Sequence, residues 1–266
     1  MHAPVPPGWM PASPCTQACL PAPARPSWTQ ALRLAAVAAV LLTALATVPF
    51  AGNRWLATCC RALLRATGVR LRVTPARAWD AWAGVLVVAN HLSWIDVVAL
   101  TAVAPVRLLA KCEVGGWPLI GGLARRSGAL FVDRAGLRAL PGTVAGVADA
   151  LRAGHAVAVF PEGTTWCGAA AGPFRRAVFQ AALDAGVPVR PVAITFRPVG
   201  TAAFVGAQTL LDSVLRVVRT PGLTCELTLL ADLAPAGDRR ALARRAETTI
   251  ASATGVPHVV RGALSR

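Results

Sequence analysis

The sequence predicts an α/β fold, a mostly parallel sheet flanked by helices, preceded by an N-terminal hydrophobic membrane helix or helical hairpin. Three observations predict it. Beyond residue 84, short apolar runs alternate with longer amphipathic ones, the rhythm of strands interleaved with helices. His91, Arg134 and Glu162 each come just after an expected strand, where an open parallel sheet places its ligand site. Finally, twenty uncharged residues, LAAVAAVLLTALATVPFAGN, lie between Arg33 and Arg54. As a helix they would measure about 30 Å, the thickness of a bilayer core.

Taken in order, residues 1–30 are rich in proline (PVPPGWM, PAPARPSW) and are expected to be a disordered leader. Residues 31–70 form the membrane-associated helices. The second of these, within RWLATCCRALLRATGVR, spaces Arg54, Arg61 and Arg65 around Leu56, Leu63 and Leu64, as an interfacial helix would. A spanning helix and a hairpin lying in one leaflet both fit. Arg25 and Arg33 precede the apolar run, whereas Arg54, Arg61, Arg65, Arg70 and Arg72 follow it, which places the rest of the chain on the cytoplasmic side of the inner membrane. A cleaved signal peptide, with ALA at 44–46, is disfavoured because the leader is too long and the basic residues stand on the wrong side.

Residues 71–266 make the third unit. Strands are expected at 85–89, 107–110, 129–132, 156–160, 190–196 and 225–230. Helices are expected at 94–104, 117–126, 136–153, 174–186, 207–219 and 238–254. The prolines of VPVRPVAITF (187–196) suggest an edge strand or a strand start near a ligand channel.

The 27 basic and 12 acidic residues leave a net charge of +15, and Lys111 is the only lysine. Arginine is the better fork for phosphate and carboxylate, so anionic partners are expected, although genomic composition alone could give the same bias. Nucleic acid is excluded from the expectation: the core lacks interleaved aromatics and a basic helix for a groove, and there is no tyrosine. The seven cysteines, Cys15, Cys19, Cys59, Cys60, Cys112, Cys167 and Cys225, are odd in number and lack C-x-x-C spacing. They suggest neither a disulfide framework nor a metal site.

VVANHLSWIDVVAL (87–100) packs Asn90, His91, Ser93 and Asp96 into an apolar run. A five-residue offset across a turn that opens a helix can bring the Asp96 carboxylate onto the His91 imidazole, giving a general base of fixed orientation. The plain alternative is a helix cap at Ser93 and a packed histidine. No G-x-S-x-G nucleophile elbow is present, so the hydroxyl to be activated is expected on the substrate. GALFVDRAG delivers Arg134 after one strand, VAVFPEGTT delivers Glu162, Gly163 and Thr164 after another, and Lys111 ends a third. Lys111 belongs to no phosphate-binding loop of the G-x-x-x-x-G-K-[ST] type.

Taken together, NHLSWID, GALFVDR, FPEGTT and VPVRPV resemble, in order, the four sequence blocks of the glycerolipid acyltransferases, the 1-acyl-glycerol-3-phosphate acyltransferase family. The resemblance covers about residues 84 to 200. It implies a glycerol-3-phosphate acyltransferase-like fold, with His91 as the base that deprotonates the acceptor hydroxyl and Asp96 as its orienting partner. Arg134, Glu162, Gly163 and Thr164, with Lys111, would bind the acceptor, a membrane lysolipid. Val187, Pro188 and Pro191 would line the acyl side. Acyl-CoA or acyl carrier protein would enter as co-substrate, and neither metal nor redox cofactor is implied. Two departures bear on the acceptor. The third block commonly ends in arginine where this chain has Thr165, and Ala177 stands where glycine is usual. FPEGTT resembles the branch that acylates lyso-ornithine lipid, a phosphate-free acceptor. A hydrolase using the same histidine on water, and a non-enzymatic protein binding anionic lipid, are the competing classes.

Overall fold

The computed structural model describes residues 10–22, 28–47, 52–75, 82–117 and 120–258. Parts of the expected leader (1–9 and 23–27), and residues 48–51 of the apolar run, lie outside them.

Among the described residues, seven strands form one sheet. They are β1 (Arg70–Thr74), β2 (Leu86–Ala89), β3 (Val106–Lys111), β4 (Leu130–Val132), β5 (Ala156–Val159), β6 (Val189–Arg197) and β7 (Thr224–Leu229), in the spatial order β1-β7-β6-β2-β5-β3-β4. Every pairing is parallel except β6 with β7. The expected mostly parallel sheet is therefore present. The inner strands LVVA and AVAV are buried along their whole length, as strands covered by helices on both faces must be.

Alternating strand residues face two cores. Val87, Ala89, Ala158 and Ile194 meet Leu64 of α2 (Asn53–Thr67), Ile95 and Leu100 of α3 (Trp94–Val103), and Val217 far along the chain. Leu86, Val88, Val157 and Val159 meet the opposite layer. That layer holds Val147 and Leu151 of a helix at Leu140–Arg152, Phe179 of one at Phe179–Ala185, and Leu242 and Ile250 of one at Arg239–Thr254. In chain order α1 is Trp28–Thr47, α4 Cys112–Gly115, α5 Ile120–Arg126, α6 Leu140–Arg152, α7 Phe179–Ala185, α8 Leu210–Arg219 and α9 Arg239–Thr254.

Four local expectations change. β1 was not foreseen: it is a five-residue strand paired only with β7, with Arg70, Arg72 and Thr74 exposed in alternation. VPVRPV does not make an edge, because β6 lies between β2 and β7. Pro191 is tolerated there since the β6–β7 register begins only at Val192, and the Pro191 carbonyl still accepts the Leu230 N–H at 3.0 Å. The helix expected from 174 starts at Phe179; before it, the amides of Phe174 and Arg175 donate to the Glu247 carboxylate (2.7 Å) and the Pro161 carbonyl (2.8 Å). Residues 10–22, counted in the disordered leader, instead pack against the body: Cys15 is buried beside Trp166, Ala203 and Val205.

α1 is long and apolar enough to cross a membrane by length and composition, and little of it is buried. It runs against α2 as an antiparallel hairpin. At the tip, Trp55 Nε1 donates to Thr47 Oγ1 at 2.6 Å, and Ala44 packs on Cys59 and Leu56. At the base, the guanidinium of Arg33 lies over Gly68 and donates to the carbonyls of Val218 (2.7 Å) and Thr220 (3.2 Å) at the end of α8. Both ends of the hairpin therefore stand on the same side of the sheet domain.

Candidate active site

The site is built at the carboxyl end of β2. Asn90 closes the strand: its amide donates to the Ile194 carbonyl at 2.9 Å and accepts the Ile194 N–H at 2.8 Å. The next residues open α3, where Ser93 is the N-cap and Asp96 its partner in a capping box. Asp96 is fully buried. Its Oδ2 accepts the N–H groups of Leu92 (2.6 Å) and Ser93 (2.8 Å), and meets His91 Nδ1 at 2.9 Å. The helix cap and the dyad are thus one device, since the amides that cap α3 also hold the carboxylate against the imidazole. With Nδ1–H donated to Asp96, Nε2 carries the lone pair available to a ligand. The His91 ring is 17% exposed and stacks on Phe160, centroids 4.1 Å apart.

Glu162 lines the same cleft as His91 and also holds its main chain. Its Oε2 accepts the backbone N–H of His91 at 2.6 Å and its Oε1 that of Gly172 at 3.3 Å. It is buried, and burial pushes its carboxyl well above the ordinary glutamate value, although the two amides pull the other way. A carboxylate in this position orients the chain that bears His91. Gly172 is required here because a Cβ would come within 2.6 Å of the Trp166 indole ring.

Two clefts lie near the dyad and share no lining residue; Phe160, which stacks on His91, lines only the second. One, of about 230 Å³, is lined by Asn90, His91, Glu162, Trp166, Phe196 and His258, among others. The second, of about 290 Å³, has Arg134, Arg175 and Arg176 in its wall with Leu109, Leu140, Val144, Val147 and Val159. Arg134 donates to the carbonyl of Gly163, whose φ of +76° is one that L side chains rarely adopt. Arginines beside aliphatic walls suit an anion carried on an apolar chain. Lys111 is exposed at the end of β3, close enough to Arg134 for their charges to repel, and lines neither cleft. Thr164 is half-buried in the turn beside Gly163 and also lines neither. Thr165 donates its hydroxyl to the Phe204 carbonyl.

Val187, Pro188 and Pro191 are not brought to these clefts. Pro188 accepts the Leu86 N–H at 3.1 Å, and Val189 is in register with Leu86. Val187 and Pro188 therefore precede β6 at the end of the sheet far from His91, and Pro191 lies within β6 opposite Val88. The carboxyl end of β6, from Ile194 to Arg197, lines the histidine cleft instead. Asn90, Phe160, Trp166, Gly172 and His258 were not singled out for a site role from sequence, and only Asn90 had a signal, an amide at the end of an apolar strand. Three of the seven cysteines, Cys15, Cys19 and Cys167, converge in space despite their scatter along the chain.

A mostly parallel sheet thus carries at a strand end a His–Asp dyad with the geometry of a general base. The Acyltransferase family model matches residues 70–195. A lyso-ornithine lipid O-acyltransferase of Pseudomonas aeruginosa is 38% identical over 202 residues, 74% of this chain and 75% of that one. A 1-acyl-sn-glycerol-3-phosphate acyltransferase of Neisseria gonorrhoeae is 37% identical over 178 residues, covering 63% and 68%. The crystal structure of a 1-acyl-sn-glycerophosphate acyltransferase of Thermotoga maritima shares the fold, with a TM-score of 0.63 at 21% identity over 85% of this chain and 93% of that one. The chain belongs to the acyltransferase family of lysolipid O-acyltransferases. It is an enzyme of lipid metabolism, and its apolar N-terminal helix together with such relatives points to membrane association.

Proposed function

We propose that this enzyme moves a fatty acyl group from acyl-CoA or acyl carrier protein to the free hydroxyl of 1-acyl-sn-glycerol-3-phosphate, forming phosphatidic acid for phospholipid biosynthesis. The observation that carries the acceptor is the cleft in which Arg134, Arg175 and Arg176 share a wall with aliphatic side chains, a pairing suited to a phosphate on an acyl chain. His91 Nε2 takes the acceptor proton while Asp96 stabilises the imidazolium. The acceptor oxygen attacks the thioester carbonyl, the C–S bond breaks, and the leaving thiolate recovers the proton from His91. Arginine excess after the apolar run supports an inner-membrane enzyme with its sheet domain facing the cytoplasm. The shared position of the hairpin's two ends supports insertion into one leaflet.

A second acceptor, lyso-ornithine lipid, is favoured by Thr165. This residue stands where the resembling block carries a cation, and its hydroxyl is already engaged by Phe204. Labelled acyl transfer by membranes containing the protein, with both lysolipids offered side by side, decides between them. Label in phosphatidic acid, lost in His91→Ala, supports the first reading. Label confined to diacyl ornithine lipid establishes the second, and free fatty acid without an acylated acceptor would mark a hydrolase.

A further inference from the structure

Cys15 and Cys19 lie in the N-terminal segment 10–22, and Cys167 follows the turn after β5, 152 positions from Cys15. Their three sulfurs all lie within 4.8 Å of one another. Cys15 and Cys167 are buried and Cys19 is exposed. Small apolar filler accounts for the two buried side chains. It does not account for an exposed cysteine in the segment turning its sulfur toward them.

We propose that Cys15, Cys19 and Cys167 bind a thiophilic cation of the zinc class, with solvent completing the coordination on the exposed Cys19 side. Zinc–sulfur bonds of about 2.3 Å in a tetrahedron put sulfurs about 3.8 Å apart, so the cluster needs only a small side-chain adjustment to close. The sulfurs are also supported as metal ligands are. The backbone N–H of Cys167 points at Cys15 Sγ at 3.3 Å, and the amides of Ala169 and Ala170 point at Cys167 Sγ. Trp166, Ala203, Val205, Leu20 and Ala170 wall the group with apolar surface. Each thiol releases its proton to solvent as its sulfur–metal bond forms.

The site has a consequence for the clefts. The same segment lays Pro11 against Gly163 and brings the Met10 carbonyl to 3.5 Å from Arg175 Nη2. A bound cation staples this segment to the arginine cleft, whose wall includes Pro11.

The test is titration of the reduced, full-length protein in detergent with cobalt(II), whose thiolate complexes absorb by charge transfer. The expected result is a band that saturates at one cobalt per chain, bleaches when zinc is added, is lost in Cys15→Ser and Cys167→Ser, is weakened in Cys19→Ser, and is unchanged in Cys112→Ser. Because the buried variants can unfold, alkylation mapped by mass spectrometry is run on the wild-type chain as well. Zinc should protect Cys15, Cys19 and Cys167 together and leave Cys112 reactive. The proposal is overturned by a folded wild-type chain with no saturable band, by a band that survives Cys15→Ser with Cys167→Ser, by zinc that fails to protect the three thiols, or by a disulfide joining any two of them in protein purified under reducing conditions.

Discussion

Glu162 Oε2 accepts the backbone N–H of His91 at 2.6 Å, so the turn after β5 holds His91 by its main chain. The same carboxylate takes the amide of Gly172, and the Trp166 N–H donates to the His91 carbonyl at 2.8 Å. One stretch, Glu162 to Gly172, therefore fixes His91 through both its N–H and its carbonyl. A base must meet its proton within hydrogen-bond reach, and the backbone clamp supplies that precision.

Glu162→Gln should lower kcat while leaving the acceptor KM nearly unchanged. The amide offers one acceptor where two N–H groups need one each, and leaving a buried donor unpaired costs about 1–3 kcal/mol. A variant with raised KM and normal kcat would return Glu162 to acceptor binding.

The same substitution should flatten the pH dependence of stability. Burial raises the Glu162 carboxyl in the folded chain. Its contribution is therefore greatest where the group is protonated in both states, and declines as pH rises from about 4.3, the unfolded glutamate value, through the raised folded value. Glutamine carries no such proton. As pH rises across that window the melting temperature of the wild type should fall relative to that of the variant, and parallel curves would refute the assignment.

Asp96→Asn should reduce kcat by about 10²- to 10⁴-fold, the scale of general-base catalysis, because a neutral amide neither fixes the Nδ1–H tautomer nor stabilises an imidazolium. Ser93 still caps α3, so folding should survive, as circular dichroism would show. His91→Ala with Asp96→Asn should be no slower than His91→Ala alone, since the two act as a unit. An additive loss would break the dyad reading.

Arg134→Lys and Arg134→Ala should both raise the KM for lysophosphatidic acid, alanine by about tenfold or more, the scale of one charge-assisted hydrogen bond. Lysine keeps the charge but not the fork, so it separates attraction from geometry. Arg134 also supports Gly163 through its carbonyl, and some loss of kcat in the alanine variant is expected. Loss of kcat alone, with KM constant in both variants, would remove Arg134 from acceptor binding.

Much of this was legible in the sequence because the parallel core repeats one simple rule. LVVA, AVAV and the apolar stretch of β6 are buried on both faces, and such strands appear as unbroken apolar runs. β1 was missed because an edge strand needs only Leu71 and Val73 against the core, and its exposed arginines mimic the helix before it. The His91–Asp96 contact could be anticipated from a local offset. The role of Glu162 could not, since it depends on backbone amides brought from residues 91 and 172. The placement of Val187 and Pro188 needed strand direction: running parallel to β2, β6 puts its first residues at the end remote from His91. The Cys15–Cys19–Cys167 group joins two segments by tertiary packing alone, so no spacing announces it.

The last prediction concerns the hairpin. Arg33 holds the base of α1 to α8 through the carbonyls of Val218 and Thr220, and Gly68 at the end of α2 lies beneath the same guanidinium. A helix that crossed the bilayer would carry Trp28 and Arg72 to opposite sides. A hairpin in one leaflet leaves both on the side of the sheet domain, with the exposed Trp28 suited to the interface. Cysteine placed at 28 or at 72, probed with an impermeant thiol reagent on sealed inverted vesicles and located by peptide mass spectrometry, should label equally from the outside. Labelling of one and protection of the other would establish a span. Arg33→Ala should lower stability by about 1.5–3 kcal/mol, the worth of hydrogen bonds from a charged group. Its acyl transfer from detergent-dispersed substrates should fall less than transfer within vesicles, because the hairpin then no longer holds the clefts at a fixed height over the lipid.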